Sequence, residues 1–264
     1  MKVINFMITI ENLTYSINDK ALLNNLSLTI NNNEIIGITG GAGSGKSILM
    51  DILRYKIKKF QGDIIINDCN IKNIDKKNFN RLTAYYSFRY DLINQEAAVK
   101  DWILGGRINH KKRLNPFSEI DKEIAYKVME QFGLAELAET KIKYISESLI
   151  RMADIARRFA SQSNVLLLEN PEAGLNLNQS VLLGKNIKKY TTSGDSIIIL
   201  TSTSLNFIAA TCDRIIVLAD NSIAESGSHR IITDEFVKKY FKIESVVTKN
   251  IYTGLPEVQV IEEN

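Results

Sequence analysis

Long hydrophobic runs and cysteines are both scarce in this sequence of 264 residues. The longest unbroken apolar runs are four or five residues, such as 165–168, whereas a membrane-spanning helix needs about 20. The two cysteines, Cys69 and Cys212, stand far apart, which excludes a disulfide framework and a thiolate metal cluster. These features exclude a membrane-spanning helix and are typical of a protein in a reducing, intracellular compartment.

A strong excess of charge of one sign is also missing. The 33 Lys and Arg residues are nearly balanced by 30 Asp and Glu residues, which gives a net charge of +3. This excess is too small to make nucleic acid the expected partner. The first six residues lack the apolar core of a signal peptide. Hydrophobic residues make up 45% and charged residues 24%, so we expect an ordinary globular protein.

Segments whose apolar residues alternate as in a strand are followed along the chain by segments whose apolar residues recur with the period of a helix. The predicted strands are 4–10, 22–30, 34–39, 62–67, 82–87, 165–169, 196–201, 214–218 and 222–225. The predicted helices are 46–55, 97–104, 119–132, 146–161, 177–189 and 205–210. This alternation predicts an α/β fold with a mainly parallel sheet, flanked by antiparallel strands that begin with a pair joined by a turn at 18–20. We expect one domain over 1–264, with an inserted helical lobe at about 88–162 and a C-terminal extension at about 231–264.

A glycine-rich segment lies between the predicted strand 34–39 and the predicted helix 46–55, and it satisfies the pattern G-x-x-x-x-G-K-S in full. Its residues are Gly40, Gly41, Ala42, Gly43, Ser44, Gly45, Lys46 and Ser47. Glycines let successive backbone N–H groups turn toward a phosphate, and the following helix directs its positive end to the same place. Lys46 would neutralise the β- and γ-phosphates, and the Ser47 hydroxyl would hold Mg²⁺. The segment therefore predicts a P-loop NTPase core sheet that binds a nucleotide.

Further segments extend this pattern beyond the phosphate loop. Residues 165–176 read V-L-L-L-E-N-P-E-A-G-L-N, and 145–149 read I-S-E-S-L before a helix that contains I-A-R-R. Tyr15 precedes the loop, and residues 212–218 read C-D-R-I-I-V-L. Nearly end to end, the sequence resembles the ATP-binding subunits of ABC transporters. Residues 165–176 align with that family's Walker B and D-loop stretch, and residues 145–149 align with its L-S-G-G-Q signature. Tyr15 aligns with the aromatic residue that stacks on adenine, and residues 212–218 align with the A-D-R-I-x-V-L strand.

The resemblance implies ligands and partners. Subunits of this family bind ATP with Mg²⁺, which implies that Glu169 joins Ser47 at the metal and that Tyr15 stacks on adenine. Ser146, in the signature segment, is implied to contact ATP across a dimer interface. The family's subunits pair with a second nucleotide-binding subunit and dock on a polytopic membrane permease. The resemblance thus implies a cytoplasmic protein that lies peripherally at the inner face of the cell membrane.

Two stretches are similar to one type of importer. Residues 98–107, A-V-K-D-W-I-L-G-G-R, resemble the T-V-x-D-x-V-x-x-G-R segment of importers for iron-siderophores, haem and cobalamin. The tail from 236 to 258 is similar to the short helix and the strands around T-G-x-P that end these subunits. The resemblance therefore implies an importer, with iron uptake as an expected role.

The residues that serve hydrolysis in this family are changed, whereas the phosphate loop is intact. Glu169 stands at the Walker B aspartate, and Asn170 stands at the catalytic glutamate. An amide does not take a proton from water at neutral pH, and loss of a general base costs about 10²–10⁴ in rate. Thr203 stands at the switch histidine, and Phe88 stands at the switch glutamine, or Arg89 if the register slips by one.

The signature and the D-loop are changed as well. Glu147 and Ser148 replace the signature glycines, and Asn176 replaces the D-loop aspartate. Two interpretations of Glu147 are open. Its carboxylate would repel the γ-phosphate by roughly 4 kcal/mol at ~4 Å, or it would favour the positive N-terminus of a helix and point to solvent.

Together these features predict an ATP-binding transporter subunit whose intrinsic hydrolysis is weak or absent. The alternative is a nucleotide-dependent scaffold or regulator that has the same fold and no transport role. A homodimer would place Glu147 and Asn170 in both ATP sites. If the chain supports transport, we therefore expect it to form an unequal pair with a competent relative.

Overall fold

The computed structural model describes residues 6–18, 20–111 and 115–261. The strands are β1 (Ile8–Ile17), β2 (Lys20–Ile30), β3 (Ile35–Thr39), β4 (Gln61–Ile66), β5 (Cys69–Asn70), β6 (Thr83–Tyr86), β7 (Val165–Glu169), β8 (Ile197–Thr201), β9 (Arg214–Ala219), β10 (Ser222–Gly227), β11 (Ser245–Lys249) and β12 (Pro256–Val260). The helices are α1 (Lys46–Leu53), α2 (Lys76–Leu82), α3 (Val99–Leu104), α4 (Glu119–Gln131), α5 (Glu147–Ala160), α6 (Leu177–Thr191), α7 (Leu205–Thr211) and α8 (Asp234–Phe241).

The central sheet has the order β10-β9-β3-β8-β7-β6 within the described residues. Its strands pair in parallel except for β10, which is antiparallel to β9. Every residue of β3 and β8 is buried, as expected for parallel strands that are covered on both faces and therefore read as continuous apolar runs. The predicted α/β fold with a mainly parallel sheet is confirmed.

A second, antiparallel sheet has the order β2-β1-β4-β5, and it confirms the predicted flank. Helix α1 lies between the two sheets, because its buried residues, among them Leu49 and Met50, join one hydrophobic cluster with residues of both. This packing fixes the N-terminal end of α1, and the phosphate loop before it, against the edge where the parallel strands end.

The first strand was predicted at 4–10, and this prediction is wrong in its bounds. Strand β1 runs from Ile8 to Ile17, and residues 4 and 5 lie outside the described part of the chain. The register of β1 against β2 shifts after Ile10 and again after Leu13, and Asn12 has a left-handed φ of 50°. These bulges interrupt the alternation of apolar residues, which hid the second half of the strand.

Helices α3, α4 and α5 lie between β6 and β7, within the segment predicted to be helical. Arg107 joins them: its Nε donates to Asp121 Oδ1 on α4 at 2.9 Å, and its Nη1 donates to the carbonyls of Ala160 and Ser161 at the end of α5. Gly106 permits this contact, because a Cβ there would lie 2.1 Å from the Arg157 carbonyl oxygen. Part of the importer-like stretch 98–107 therefore serves to join helices.

The C-terminal part packs on the core through two elements. Helix α8 buries Phe236, Val237 and Tyr240. The hairpin of β11 and β12 is tied to α7, where the Val258 N–H donates to Asn206 Oδ1 at 2.8 Å. Across the described ranges, no helix has both the length and the apolar character that crossing a membrane requires.

Candidate functional site

The phosphate loop leads from the end of β3 directly into α1. Three of its glycines, Gly40, Gly43 and Gly45, have φ values of 142°, 75° and 95°. Residues that carry a side chain rarely adopt such values. A Cβ on Gly40 would also lie 2.2 Å from the Leu218 carbonyl oxygen, and a Cβ on Gly45 would lie 2.7 Å from Leu23 Cδ2. Gly40 and Gly45 are thus required by backbone conformation and by close packing, and Gly43 is required by backbone conformation alone.

Lys46 folds back over the loop that precedes it. Its Nζ donates to the carbonyl oxygens of Gly40 at 2.7 Å and Gly41 at 2.8 Å, and to Ser44 Oγ at 3.1 Å. Partial burial lowers the pKa of the Lys46 ammonium from its ordinary value. The ammonium is therefore placed inside the turn where the sequence motif puts a phosphate group.

Ser47 and Glu169, the two predicted metal ligands, are brought together. Ser47 Oγ donates to Glu169 Oε1 at 2.5 Å, and Tyr85 on β6 donates its hydroxyl hydrogen to Glu169 Oε2 at 2.5 Å. Hydroxyl and carboxylate oxygens are the ligands that Mg²⁺ prefers, so this pair fits a magnesium ion that also binds nucleotide phosphates. Within the described residues, no group of three or more His, Cys, Asp or Glu side chains forms a separate metal site.

The residues at the switch positions lie where β7 and β8 end. The Asn170 N–H donates to the Thr201 carbonyl oxygen at 3.0 Å and to its Oγ1 at 3.2 Å. Thr39, the last residue of β3, donates its hydroxyl hydrogen to the Ser202 carbonyl oxygen at 2.9 Å, and Thr203 follows as an exposed residue. The carboxyl edge of a parallel sheet is where such folds bind ligands, and this edge carries the phosphate loop, Glu169, Asn170 and Thr203.

Tyr15 lies close to the same edge, on the antiparallel sheet. It is half-buried and pairs with Leu23 across β1 and β2. Leu23 in turn lies beneath Gly45 of the phosphate loop. The structure therefore places Tyr15 near the loop, and stacking of its ring on the base of a nucleotide stays a prediction.

Ser146 is placed differently from the other predicted site residues. It is the N-cap of α5, where its Oγ accepts a hydrogen bond from the Leu149 N–H at 3.4 Å and lies 3.2 Å from Ser148 Oγ. Glu147, the first residue of α5, is paired with Arg151 one turn later, at 2.6 Å. The hydrogen bonds of Ser146 stay within the signature segment, so this chain's own Ser146 is not hydrogen-bonded to its phosphate loop.

Phe88 and Arg89, the two candidates for the switch-glutamine position, have different surroundings. Phe88 is half-buried and lies under the guanidinium group of Arg151. Arg89 is exposed and forms an ion pair with Asp91 at 2.9 Å. Phe88 therefore contacts the helix that carries the signature, and Arg89 is engaged with its own loop.

A cleft of about 470 Å³ borders the phosphate loop. Its walls are residues 41–44, the turn between β9 and β10, and the C-terminal end of α8 with Lys239 and Lys242. The Tyr240 carbonyl oxygen would lie 3.3 Å from a Cβ on Gly41. Helix α8 thus supports the loop from the C-terminal part of the chain.

The sequence pattern of the family described as ABC transporter matches residues 23–173, more than half of the chain. The chain belongs to the ABC transporter family. It is 26% identical over 242 residues to the phosphonates import ATP-binding protein PhnC of Fusobacterium nucleatum, covering 89% of this chain and 98% of that protein. It is 24% identical over 247 residues to the petrobactin import ATP-binding protein FpuD of Bacillus anthracis, covering 93% and 90%.

The fold of this ABC family member matches solved structures over most of its length. One is an inward-facing putative metal-chelate type ABC transporter, with a TM-score of 0.79, 20% sequence identity and coverage of 98% of both chains. The predicted core sheet, antiparallel flank and helical lobe are thus the ATP-binding cassette fold.

Sequence reasoning did not single out two side chains that border the site. Tyr85 contacts Glu169, and Glu172 accepts a hydrogen bond from Ser202 Oγ beside Thr203. Tyr85 reads in the sequence as an ordinary strand residue, because its hydroxyl meets Glu169 only through the pairing of β6 with β7. Glu172 stands where the ABC pattern D-E-P-T-x-G-L-D has threonine, and that departure was the available signal.

Proposed function

We propose that this chain is the ATP-binding subunit of an ABC importer and that its intrinsic hydrolysis of ATP is weak or absent. The observation that carries nucleotide binding is the phosphate loop, in which Lys46 Nζ lies on the carbonyls of Gly40 and Gly41. The positive N-terminal end of α1 adds to this site, because unpaired N–H groups there favour an anion. Charge-assisted hydrogen bonds to phosphate are about twice as strong as neutral ones.

Mg²⁺ would be held by Ser47 and Glu169, whose side chains are already in contact. When bound, the ion neutralises negative charge on the phosphate oxygens of the nucleotide. Ser47 contributes a hydroxyl oxygen from the first turn of α1, and Glu169 contributes a carboxylate from the end of β7. Both positions are rigid, because α1 packs between two sheets and β7 lies inside one of them.

Weak hydrolysis follows from the side chains at Asn170 and Thr203. The amide of Asn170 does not act as a base toward water. The Thr203 hydroxyl does not replace an imidazole that contacts phosphate and carries a proton at neutral pH. The loss of both groups supports binding of ATP without rapid turnover by this chain alone.

The names of relatives support an importer, and they name more than one cargo. The sequences with phosphonates import and petrobactin import in their names match nearly the whole chain. We propose the iron-siderophore, haem or cobalamin type on the petrobactin relative and on the tail from 236 to 258. The stretch 98–107 gives weaker support, since Gly106 and Arg107 serve helix packing.

The proposed partners are a polytopic membrane permease and a second nucleotide-binding subunit, with the chain located on the cytoplasmic side. In an unequal pair, this chain would supply Lys46 and Glu169 to one ATP site, and a competent relative would supply the base to the other. Co-expression with candidate relatives and the permease tests this arrangement. Transport by a complex whose nucleotide-binding subunits are two copies of this chain would contradict both the unequal pairing and the disabling effect of Asn170.

A non-transport scaffold or regulator is the competing function, and the changes at Asn170 and Thr203 favour it equally. The two functions differ in the kind of protein that the chain binds. A transporter subunit is expected to co-purify from membranes with a polytopic membrane protein, and a scaffold is expected to co-purify with soluble proteins alone.

Nucleotide binding itself is tested by calorimetry with Mg²⁺-ATP on the wild type and on Lys46→Ala. We expect the variant to bind about 10- to 100-fold more weakly, because it loses charge-assisted hydrogen bonds to phosphate. Lys127→Ala is the matched control, since Lys127 is an exposed lysine on α4 that pairs with Glu123 at 2.6 Å outside the loop. Equal affinity of wild type and Lys46→Ala would overturn the proposed site.

A further inference from the structure

Glu169 carries one methylene more than the aspartate that its family has at this position. The longer side chain moves the carboxylate by up to about 1.5 Å and adds a torsion angle that must be held fixed. A carboxylate that serves a metal is useful only when its oxygens stay in a defined place, because ligand orientation governs metal affinity. This chain therefore needs a contact that a shorter aspartate does not need.

Tyr85 supplies such a contact. Its hydroxyl lies 2.5 Å from Glu169 Oε2, while Ser47 Oγ lies 2.5 Å from Glu169 Oε1. The two oxygens of one carboxylate are thus held by two hydroxyl donors on opposite sides. A tyrosine hydroxyl carries its hydrogen at neutral pH, so it is a donor to this carboxylate.

The ring of Tyr85 is itself fixed. The guanidinium carbon of Arg54 lies 4.2 Å from the ring centre, and Arg54 Nε is held by Asp51 Oδ1 at 2.7 Å. Asp51 belongs to α1, the same helix that begins with Lys46 and Ser47. Both ends of helix α1 therefore help to position Glu169. The N-terminal end acts directly through Ser47, and the C-terminal end acts indirectly through Asp51, Arg54 and Tyr85.

We propose that Tyr85 is a positioning residue that holds the longer Glu169 carboxylate in place for Mg²⁺ bound with a nucleotide. Tyr85 acts through Glu169, with its hydroxyl donating to Oε2 while Oε1 faces Ser47. This inference rests on the proposed nucleotide function and deepens it.

The chain offers a matched control in the next residue of the same strand. Tyr86 points to the other face of the sheet, is fully buried, and its hydroxyl lacks a hydrogen-bond partner within the described residues. Tyr85→Phe and Tyr86→Phe therefore remove the same atom from neighbouring positions, and only the first removes a contact with Glu169.

The test measures how much Mg²⁺ is needed to tighten ADP binding by the full-length chain, using calorimetry at fixed ADP with a series of Mg²⁺ concentrations. ADP avoids turnover during the titration. We expect Tyr85→Phe to need about 10- to 100-fold more Mg²⁺, which is the usual loss when a residue that orients a metal ligand is removed. ADP binding in EDTA should stay within about twofold of wild type, because the phosphate loop is unchanged. Tyr86→Phe should match wild type both in its Mg²⁺ requirement and in its ADP binding in EDTA.

A second arm repeats the comparison in Glu169→Asp. The shorter carboxylate ends beyond the reach of the Tyr85 hydroxyl, so adding Tyr85→Phe should change the Mg²⁺ requirement by less than about threefold, and the two changes should be strongly non-additive. An equal effect of Tyr85→Phe in both backgrounds, or no effect in the wild-type background, would overturn the inference.

The outcomes also separate this inference from the proposed function. Mg²⁺-dependent ADP binding that survives Tyr85→Phe unchanged would overturn the role of Tyr85 and leave the nucleotide site standing. Failure of the wild type to bind ADP, with or without Mg²⁺, would overturn both. A loss of thermal stability in Tyr85→Phe with an unaltered Mg²⁺ requirement would show a purely structural hydrogen bond and would also overturn the inference.

Discussion

The guanidinium carbon of Arg151 lies 3.7 Å from the centre of the Phe88 ring. This contact links two positions at which the chain departs from its family, because Arg151 also holds Glu147 through Nη2 at 2.6 Å and Nε at 3.1 Å. Arg151 Nη1 further donates to the Ala173 carbonyl oxygen at 3.3 Å. The negative charge of Glu147 is therefore offset within this chain, which weakens the repulsion expected between Glu147 and a γ-phosphate.

Arg151→Ala is expected to lower the free energy of unfolding by about 1 kcal/mol. The variant loses an i,i+4 ion pair worth about 0.3–0.5 kcal/mol and a cation–π contact worth about 0.5–1 kcal/mol. Glu147→Gln loses only the ion pair, so it should cost less than about 0.5 kcal/mol. Urea unfolding of the two variants beside wild type checks this order. Equal losses would show that the stacking on Phe88 and the hydrogen bond to the Ala173 carbonyl contribute nothing.

Asn170→Glu is expected to restore little ATP hydrolysis, because Thr203 still lacks an imidazole and catalytic groups that act as a unit have non-additive effects. A steady-state assay with Mg²⁺-ATP should stay near background for wild type and for this variant. The double variant with Thr203→His should exceed the sum of the single ones. Several turnovers per second by the purified wild type would contradict this expectation.

The same substitution carries a cost in stability that is independent of catalysis. Asn170 has a φ of 43°, a left-handed conformation that asparagine tolerates and that costs most residues about 1–2 kcal/mol. Asn170→Glu should therefore lower the free energy of unfolding by about 1 kcal/mol. Asn170→Gly, which fits the same φ without strain, is the control and should be close to wild type in urea unfolding.

Glu172 gives a prediction about pH. Burial raises the pKa of its carboxyl group above the ordinary value, and the hydrogen bond from Ser202 only partly offsets this. The folded state therefore favours the protonated form, so stability contributed by this group is complete below the unfolded pKa and declines as pH rises through the folded pKa. Glu172→Gln removes the decline, and its midpoint of thermal unfolding should rise relative to wild type as the pH is raised above 4.5, the ordinary pKa of this carboxyl group.

The control for this measurement is Glu123→Gln. Glu123 is exposed on α4, and a hydrogen bond from Lys127 lowers its pKa. The contribution of the Glu123 carboxyl group to folding stability therefore has the opposite pH dependence. It is present at neutral pH and is lost as the pH falls through the folded pKa. If the midpoints of Glu172→Gln and wild type differ by a constant amount at every pH, the carboxyl group of Glu172 does not titrate in the way that its burial implies.

The parts of the fold that could be predicted are those whose residues are covered on both faces. Strands β3, β7 and β8 are continuous apolar runs, and the G-K-S sequence marks the start of α1 directly. The short elements β5 and α2 were missed, because two residues give no periodicity and α2 buries only Phe79. The far half of β1 was missed because bulges around Leu13 break the alternation.

The site could be predicted where its residues are adjacent in sequence, and less well where the fold brings distant residues together. Lys46 and Ser47 follow from the motif alone. Tyr85 and Glu169 are 84 positions apart and meet only because β6 pairs with β7. Glu147 illustrates a further limit: its exposure and its charge can be read from the sequence, but its pairing with Arg151 depends on a rotamer on the surface of α5.

The buried Arg107 has a consequence for motion. By holding Asp121 on α4 and the terminal carbonyls of α5 at once, it joins α4 and α5 to the segment that follows α3. Helix α5 also packs on the sheet, because Ile155 and Phe159 belong to one hydrophobic cluster with residues of β7. Asp121→Ala would leave the buried Arg107 charge without its partner, so we expect this variant to loosen α4 from α5 while α5 stays packed on the sheet.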